Sequence, residues 1–140
     1  MIDAAERSIA LFGEKNTAIS QICSLVNECA EQGWDGDDAS PIDPTTASLA
    51  EAFIRALPEN VPLPEFTPEA DGGISLDWIE SRTRLFSVSF GLNNRLAYAW
   101  LDGTDKGHAV ASFDGEIIPP RILEGIGAIV SHGNSSLRAA

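Results

Sequence analysis

Basic side chains are scarce in this chain. Nine Lys and Arg stand against 21 Asp and Glu in 140 residues, a formal net charge of −12. Affinity for phosphate rests on clustered Lys and Arg, so direct binding to nucleic acid is not expected, and neither is attraction to an anionic membrane. Long apolar runs are missing too: no stretch approaches the roughly 20 apolar residues that span a bilayer. The segment MIDAAERSIALFGEKN puts Asp3 and Glu6 ahead of a short apolar part. A secretory signal has a basic start, a longer apolar run and a small-residue cleavage site, so a cytoplasmic location is the expectation. Cysteine is limited to Cys23 and Cys29. Six residues along a helix turn through about 600°, which sets the two on different faces. They are therefore expected to be small, buried, apolar side chains in a reducing compartment, with no bridge and no redox or zinc role.

An apolar fraction of 44% and a mean hydropathy of −0.02 are those of an ordinary globular protein, and the length suits one domain with a real core. The expectation is a single domain over residues 1–133 and a disordered tail over 134–140. Charge is unevenly spread. Residues 1–80 hold sixteen Asp and Glu against three Lys and Arg, while residues 81–140 hold five against six. The acidity belongs to the first part of the chain. It either only keeps the protein in solution or complements something basic.

Ile19, Ile22, Cys23, Val26 and Ala30 follow helical spacing and predict a helix from about Asn16 to Gln32, with Asn16 or Thr17 as its cap and Gly33 at its end. The stretch Ala4 to Phe12 is also expected to be helical, broken or weakened at Gly13. Asp43 followed by Pro44 is a helix-start signature, and Leu49, Phe53, Ile54 and Leu57 form the apolar stripe of a second helix that Pro58 stops. Four prolines in PENVPLPEFTP require an extended link, with an edge strand at Glu65 to Thr67. From Gly73 the period becomes two. Ile74, Leu76 and Trp78, then Phe86, Val88 and Phe90, then Leu96, Tyr98 and Trp100 mark three strands, and Gly107 to Phe113 a fourth. Asn93 and Asn94 tolerate the positive φ of a tight hairpin turn. Pro119 and Pro120 open a last helix carrying Ile122, Leu123, Ile126, Ile129 and Val130. The fold class is therefore α+β: two N-terminal helices, a four- to five-stranded antiparallel meander and a C-terminal helix, in two layers.

Between the first two helices lies EQGWDGDDASPIDPTT, with four aspartates and a tryptophan. Calcium-loop spacing fails there, because neither the glycine of the sixth position nor the glutamate of the twelfth is present. No metal and no cofactor is expected. The loop reads first as a helix stop, an acidic turn and a helix start, with Trp34 packed over the junction and its N–H satisfied nearby. His108 and His132 have no neighbour of metal-ligand type, and no G-x-S-x-G or phosphate loop occurs. No catalytic residue is assigned.

The motifs Trp34-Asp35-Gly36, Leu57-Pro58, Asp71 to Trp78 and Ser87-Val88-Ser89 resemble a group of small bacterial proteins with a W-D-G loop, L-P after the second helix and a D-G-x-I-x-L-x-W strand. The resemblance covers residues 19 to 115 and departs from the group's pattern at WDGDDASP. It implies a bacterial or phage origin and the same domain boundaries, and no activity or site residues.

Two functional classes remain. The first is a non-enzymatic acidic interaction protein of inhibitor, antitoxin or immunity type. It would meet a basic protein partner through Trp34, Asp35, Asp37, Asp38 and Asp43, with the acids of residues 28–43 and 59–80 supplying the field. The alternative is a small-molecule-binding domain or small enzyme with a site between sheet and helices, lined by Trp78, Tyr98, Trp100 and His108. Beneath both stands a homodimer through the edge strand or the last helix, for which exposed Leu85, Leu92 or Leu101 would speak.

Overall fold

The computed structural model describes residues 4–91 and 94–139, with side chains described over 14–91 and 94–130. Helix α1 spans Ala4–Glu28 without a break, so Asn16 and Thr17 lie inside it rather than at its cap. It ends four residues before the expected Gln32. Its last turn is diverted by the next segment: the Cys29 carbonyl accepts the Ile42 N–H at 3.1 Å. Gly33 serves the turn that follows, at φ 78°, not the helix end. Ala18 and Ile22 are buried along one stripe of α1, which Cys29 continues just past its end, with Ile19, Leu25 and Val26 packed beside them.

Helix α2, Pro44–Ala56, starts as its sequence requires. The Asp43 carboxylate accepts from the Thr46 N–H at 3.0 Å and from its hydroxyl at 3.2 Å. At its other end Lys15 of α1 donates to the carbonyls of Leu57 at 2.6 Å and Arg55 at 3.3 Å, a cation set against the negative end of the helix dipole. Phe53, Ile54 and Leu57 are buried as the stripe predicts.

Five strands follow: β1 Glu65–Pro68, β2 Ile74–Ser81, β3 Arg84–Phe90, β4 Arg95–Asp102 and β5 Asp105–Ser112. All neighbours are antiparallel, and their order across the sheet is their order in the chain. The edge strand at Glu65 is present. The last strand begins two residues earlier than expected, because Gly103, at φ 65°, turns the chain tightly and donates to the Thr83 carbonyl at 2.8 Å. Asn94 takes the positive φ expected of it, at 59°, while its partner Asn93 lies outside the described residues.

Helix α3 runs Pro120–Ala139 and packs on β2, β3 and β4; α2 packs on β2 and β3, and α1 on α2 and β1. All three helices cover one face of the sheet. The expected tail over 134–140 and His132 lie outside the residues whose side chains are described. Between the layers runs a chain of rings. Phe53 meets Trp78, Phe90 and Phe113; Trp78 meets Phe86; Phe86 stacks on Tyr98, and Tyr98 on Trp100, with centroids 5.5–6.4 Å apart. Each buried ring of this kind contributes about 2–3 kcal/mol by area, and edge-on pairs add about 0.5–1.5 kcal/mol.

Candidate functional site

The acidic loop is built by its own side chains. Asp35 accepts the N–H groups of Asp37 at 2.9 Å and Ala39 at 3.3 Å, and Gly33 donates to the Ala39 carbonyl at 2.7 Å. Trp34 is half-buried and donates its indole N–H to the Ser40 carbonyl at 2.7 Å. The loop is then pinned to the turn before β2: Ser40 donates to the Ala70 carbonyl and Asp43 to that of Gly72. At Gly72, φ 93°, a Cβ would lie 2.9 Å from the Pro41 carbonyl oxygen, so the two turns touch backbone to backbone. Asp35 and Asp43 are therefore occupied in holding shape. Asp37 and Asp38 are exposed, and their carboxylates take no hydrogen bond among the described residues.

These acids sit on one flank. Because the sheet is a meander in chain order, α1, α2 and β1 gather toward one edge of the sheet and β4 and β5 form the other, while α3 packs across β2, β3 and β4. The excess of carboxylates in residues 1–80 becomes an excess in space. The two basic side chains described in this half are already engaged: Lys15 on the α2 carbonyls, Arg55 at 4.0 Å from Glu51. A groove of about 540 Å³ runs along the flank between α1 and β1, past Glu14, Ala18, Gln21, Leu63 and Phe66.

A second depression, of about 430 Å³, lies between α3 and the β4–β5 hairpin. Its floor is Phe86, Tyr98, Trp100 and Ala109, and Asp102, Asp105, Arg121 and Glu124 stand around it. Arg84 fixes one end, pairing with Asp102 at 3.3 Å and donating to the carbonyls of Ala128 and Ile129. Of the four residues expected to line such a cleft, Tyr98 and Trp100 do. Trp78 does not: it is buried in the core, with its N–H on the Pro62 carbonyl at 2.7 Å. His108 does not either, because alternation on β5 turns it to the opposite face, where it is exposed.

A third feature was not anticipated. Asp77 on β2 accepts from Ser75 at 2.8 Å and Ser87 at 2.6 Å on one oxygen, and from Thr67 at 3.2 Å on the other. The signal was present in the sequence, since Ser75, Asp77, Ser87 and Thr67 all fall on the outward positions of their strands. Strand register was needed to bring them together.

The cysteines correct one expectation. Cys29 is buried, and burial raises its pKa, as does nearby Glu28. Cys23 is exposed rather than buried, because its side of α1 faces α2 only at its rim. Its thiol donates to Glu51 at 3.4 Å, and that bond, with burial next, raises its pKa. Leu85 and Leu101 are half-buried on the outward face, and Leu92 lies outside the described residues. Among the described residues no group of three or more His, Cys, Asp or Glu is arranged to hold a metal ion, and no helix is long and apolar enough to cross a membrane. Comparison with protein-family models, curated proteins and solved structures finds no match.

Proposed function

We propose that the protein is a non-enzymatic binding module whose acid-rich flank recognises a basic protein surface. The observation that supports this best is the meander order of the sheet, which keeps the acid-rich half of the chain together on one side. Asp37 and Asp38 make the direct contacts, at the tip of a loop that Asp35, Asp43 and Trp34 hold in shape. Holding the loop in advance lowers the ordering cost of association, and a one-signed flank raises the encounter rate by roughly 10- to 1,000-fold at low salt. The test is affinity co-purification of the tagged chain from its native host at low and high salt, beside an Asp37→Lys/Asp38→Lys variant. A stoichiometric basic protein held by the wild type at low salt, and lost both at high salt and with the variant, is the expected result. Retention that ignores the charge reversal refutes the reading.

The cleft beside α3 favours a second reading, a small-molecule site. Its volume lies within the range of about 300–1,000 Å³ usual for ligand pockets, and an aromatic floor with polar groups at the rim is the usual composition. Trp100 is the reporter: a ligand seated there changes indole fluorescence, and Trp100→Phe abolishes the change.

A further inference from the structure

The helices leave one face of the sheet uncovered, and the ladder registers give its composition row by row. One row is Thr67, Ser75, Ser89, Ala97 and Val110; the next is Glu65, Asp77, Ser87, Ala99 and His108. A third carries Ile79, Leu85, Leu101 and Lys106. The centre is flat, made of serine and alanine, where a solvated sheet face ordinarily carries long polar side chains. Its corners are apolar: Ile79 is 55% exposed and Val110 62% exposed. Its one central carboxylate, Asp77, already accepts three hydroxyl hydrogen bonds. Its oxygens therefore keep hydrogen-bond partners when the face is covered.

The charges on this face are sorted by strand. Glu65 and Asp77 lie on the β1–β2 side, with Glu69 and Asp71 at its end; Arg95, Lys106 and His108 lie on the β4–β5 side. The central strand, β3, presents only Leu85, Ser87 and Ser89. Such a face is complementary to itself. We propose that it is the interface of a homodimer, with the twofold axis running parallel to the strands along β3.

The charges choose the axis. An axis across the strands lays β1 on β1 and sets Glu65 and Asp77 against their own copies, which is repulsive. An axis along β3 lays β1–β2 of one protomer on β4–β5 of its partner. Glu65 then meets His108, Glu69 and Asp71 approach Arg95, Ile79 meets Leu101, and Leu85 meets itself. Five strands about 4.8 Å apart and eight residues at about 3.3 Å each make a footprint of roughly 600 Å² per copy. Two copies bury about 1,200 Å², the lower end of specific interfaces, so the dimer is reversible. This surface does not include the loop of Asp37 and Asp38, and the proposal stands without the reading that the loop meets a basic partner.

The experiment is sedimentation of the full chain across a dilution series, with two sets of variants. Leu85→Arg sets two like charges against each other across the axis, and raises the dimer dissociation constant about a hundredfold or more, as an unpaired buried charge does. Circular dichroism confirms that it folds. In a Cys23→Ser background, Ser89→Cys lies beside the axis and faces its own copy across sheets about 10 Å apart, so a short bis-maleimide links the two, whereas Thr67→Cys is not linked, because it faces Val110. A monomeric wild type overturns the proposal, and so does a dimer that Leu85→Arg leaves intact. Cross-linking of Thr67→Cys in place of Ser89→Cys overturns the axis and with it the charge argument.

Discussion

Gly125 and Gly127 lie two residues apart in α3, and replacing each by alanine has opposite consequences. In a helix interior, Gly→Ala gains about 0.8–1 kcal/mol from propensity alone. At Gly127 nothing lies within 4 Å of the added Cβ, so that gain stands. At Gly125 the Cβ would overlap the Phe86 ring, with Cζ at 3.0 Å and Cδ2 at 3.1 Å. Phe86 cannot retreat: it is 1% exposed, stacked on Tyr98 at 5.9 Å and edge-on to Trp78 at 6.4 Å. Overpacking of this kind costs about 1–3 kcal/mol, with the upper half of that range fitting a ring held on both faces. Against the propensity gain, Gly125→Ala is expected to destabilise by about 1–2 kcal/mol. The difference between the two variants is then about 2–3 kcal/mol. Urea unfolding followed by circular dichroism measures it, at one fixed protein concentration so that any self-association shifts all three proteins alike. Melting temperatures should separate by roughly 6–12 °C, at about 3–4 °C per kcal/mol for a chain of this size. If both variants shift the same way, α3 does not seat Gly125 on Phe86, and the packing of the two layers at this point is wrong.

Asp43→Ala removes the α2 cap and strands the hydroxyl of buried Thr46, and should cost about 1–2 kcal/mol, whereas Asp37→Ala stays within about 0.5 kcal/mol; chemical denaturation separates them. Cys23, its thiol pKa raised by the bond to Glu51, should react with iodoacetamide at pH 8 more slowly than a free peptide thiol, and Glu51→Ala should speed it. By linkage that bond favours the fold below the unfolded thiol's pKa and loses its contribution as pH rises through the raised folded value. Asp114 accepts the N–H groups of Ile117 and Glu116, which hold its carboxyl below the usual range. Its support of the turn before α3 is therefore present above the unfolded carboxylate value and lost as pH falls through the lowered one; an NMR titration of its carboxyl should show a midpoint below those of exposed aspartates.

Elements governed by local rules were legible in the sequence. Asp43-Pro44 starts a helix because capping and a fixed proline φ act over three residues, and the alternation in β2, β3 and β4 reports which face is buried without knowledge of the partner strand. Readings that needed a neighbour failed. The end of α1 depends on a hydrogen bond from Ile42 to Cys29, thirteen residues along, which no helix-stop signal encodes. His108 and Tyr98 both fell in the cleft reading, yet ladder pairing sets Tyr98 opposite Ala109 and turns His108 outward. The Asp77 cluster joins three strands and was invisible for the same reason.

The meander also explains why charge segregation in the sequence survives folding here. A sheet with crossovers interleaves early and late strands, so acids concentrated in one half of the chain would be mixed with bases from the other. Here each strand pairs only with its neighbours in sequence, and α1 lies over β1 at the same edge. One gradient of charge along the chain thus becomes two perpendicular views of the same molecule. From the side it is an acidic flank, and from the open face it is a sheet whose acids and bases fall on opposite sides of β3. The proposed twofold axis along β3 sets the acids of the second against its bases, and leaves the loop of Asp37 and Asp38 outside the paired face. The two proposals therefore call on different carboxylates: Asp37 and Asp38 for a basic partner, Glu65, Glu69 and Asp71 for a second copy.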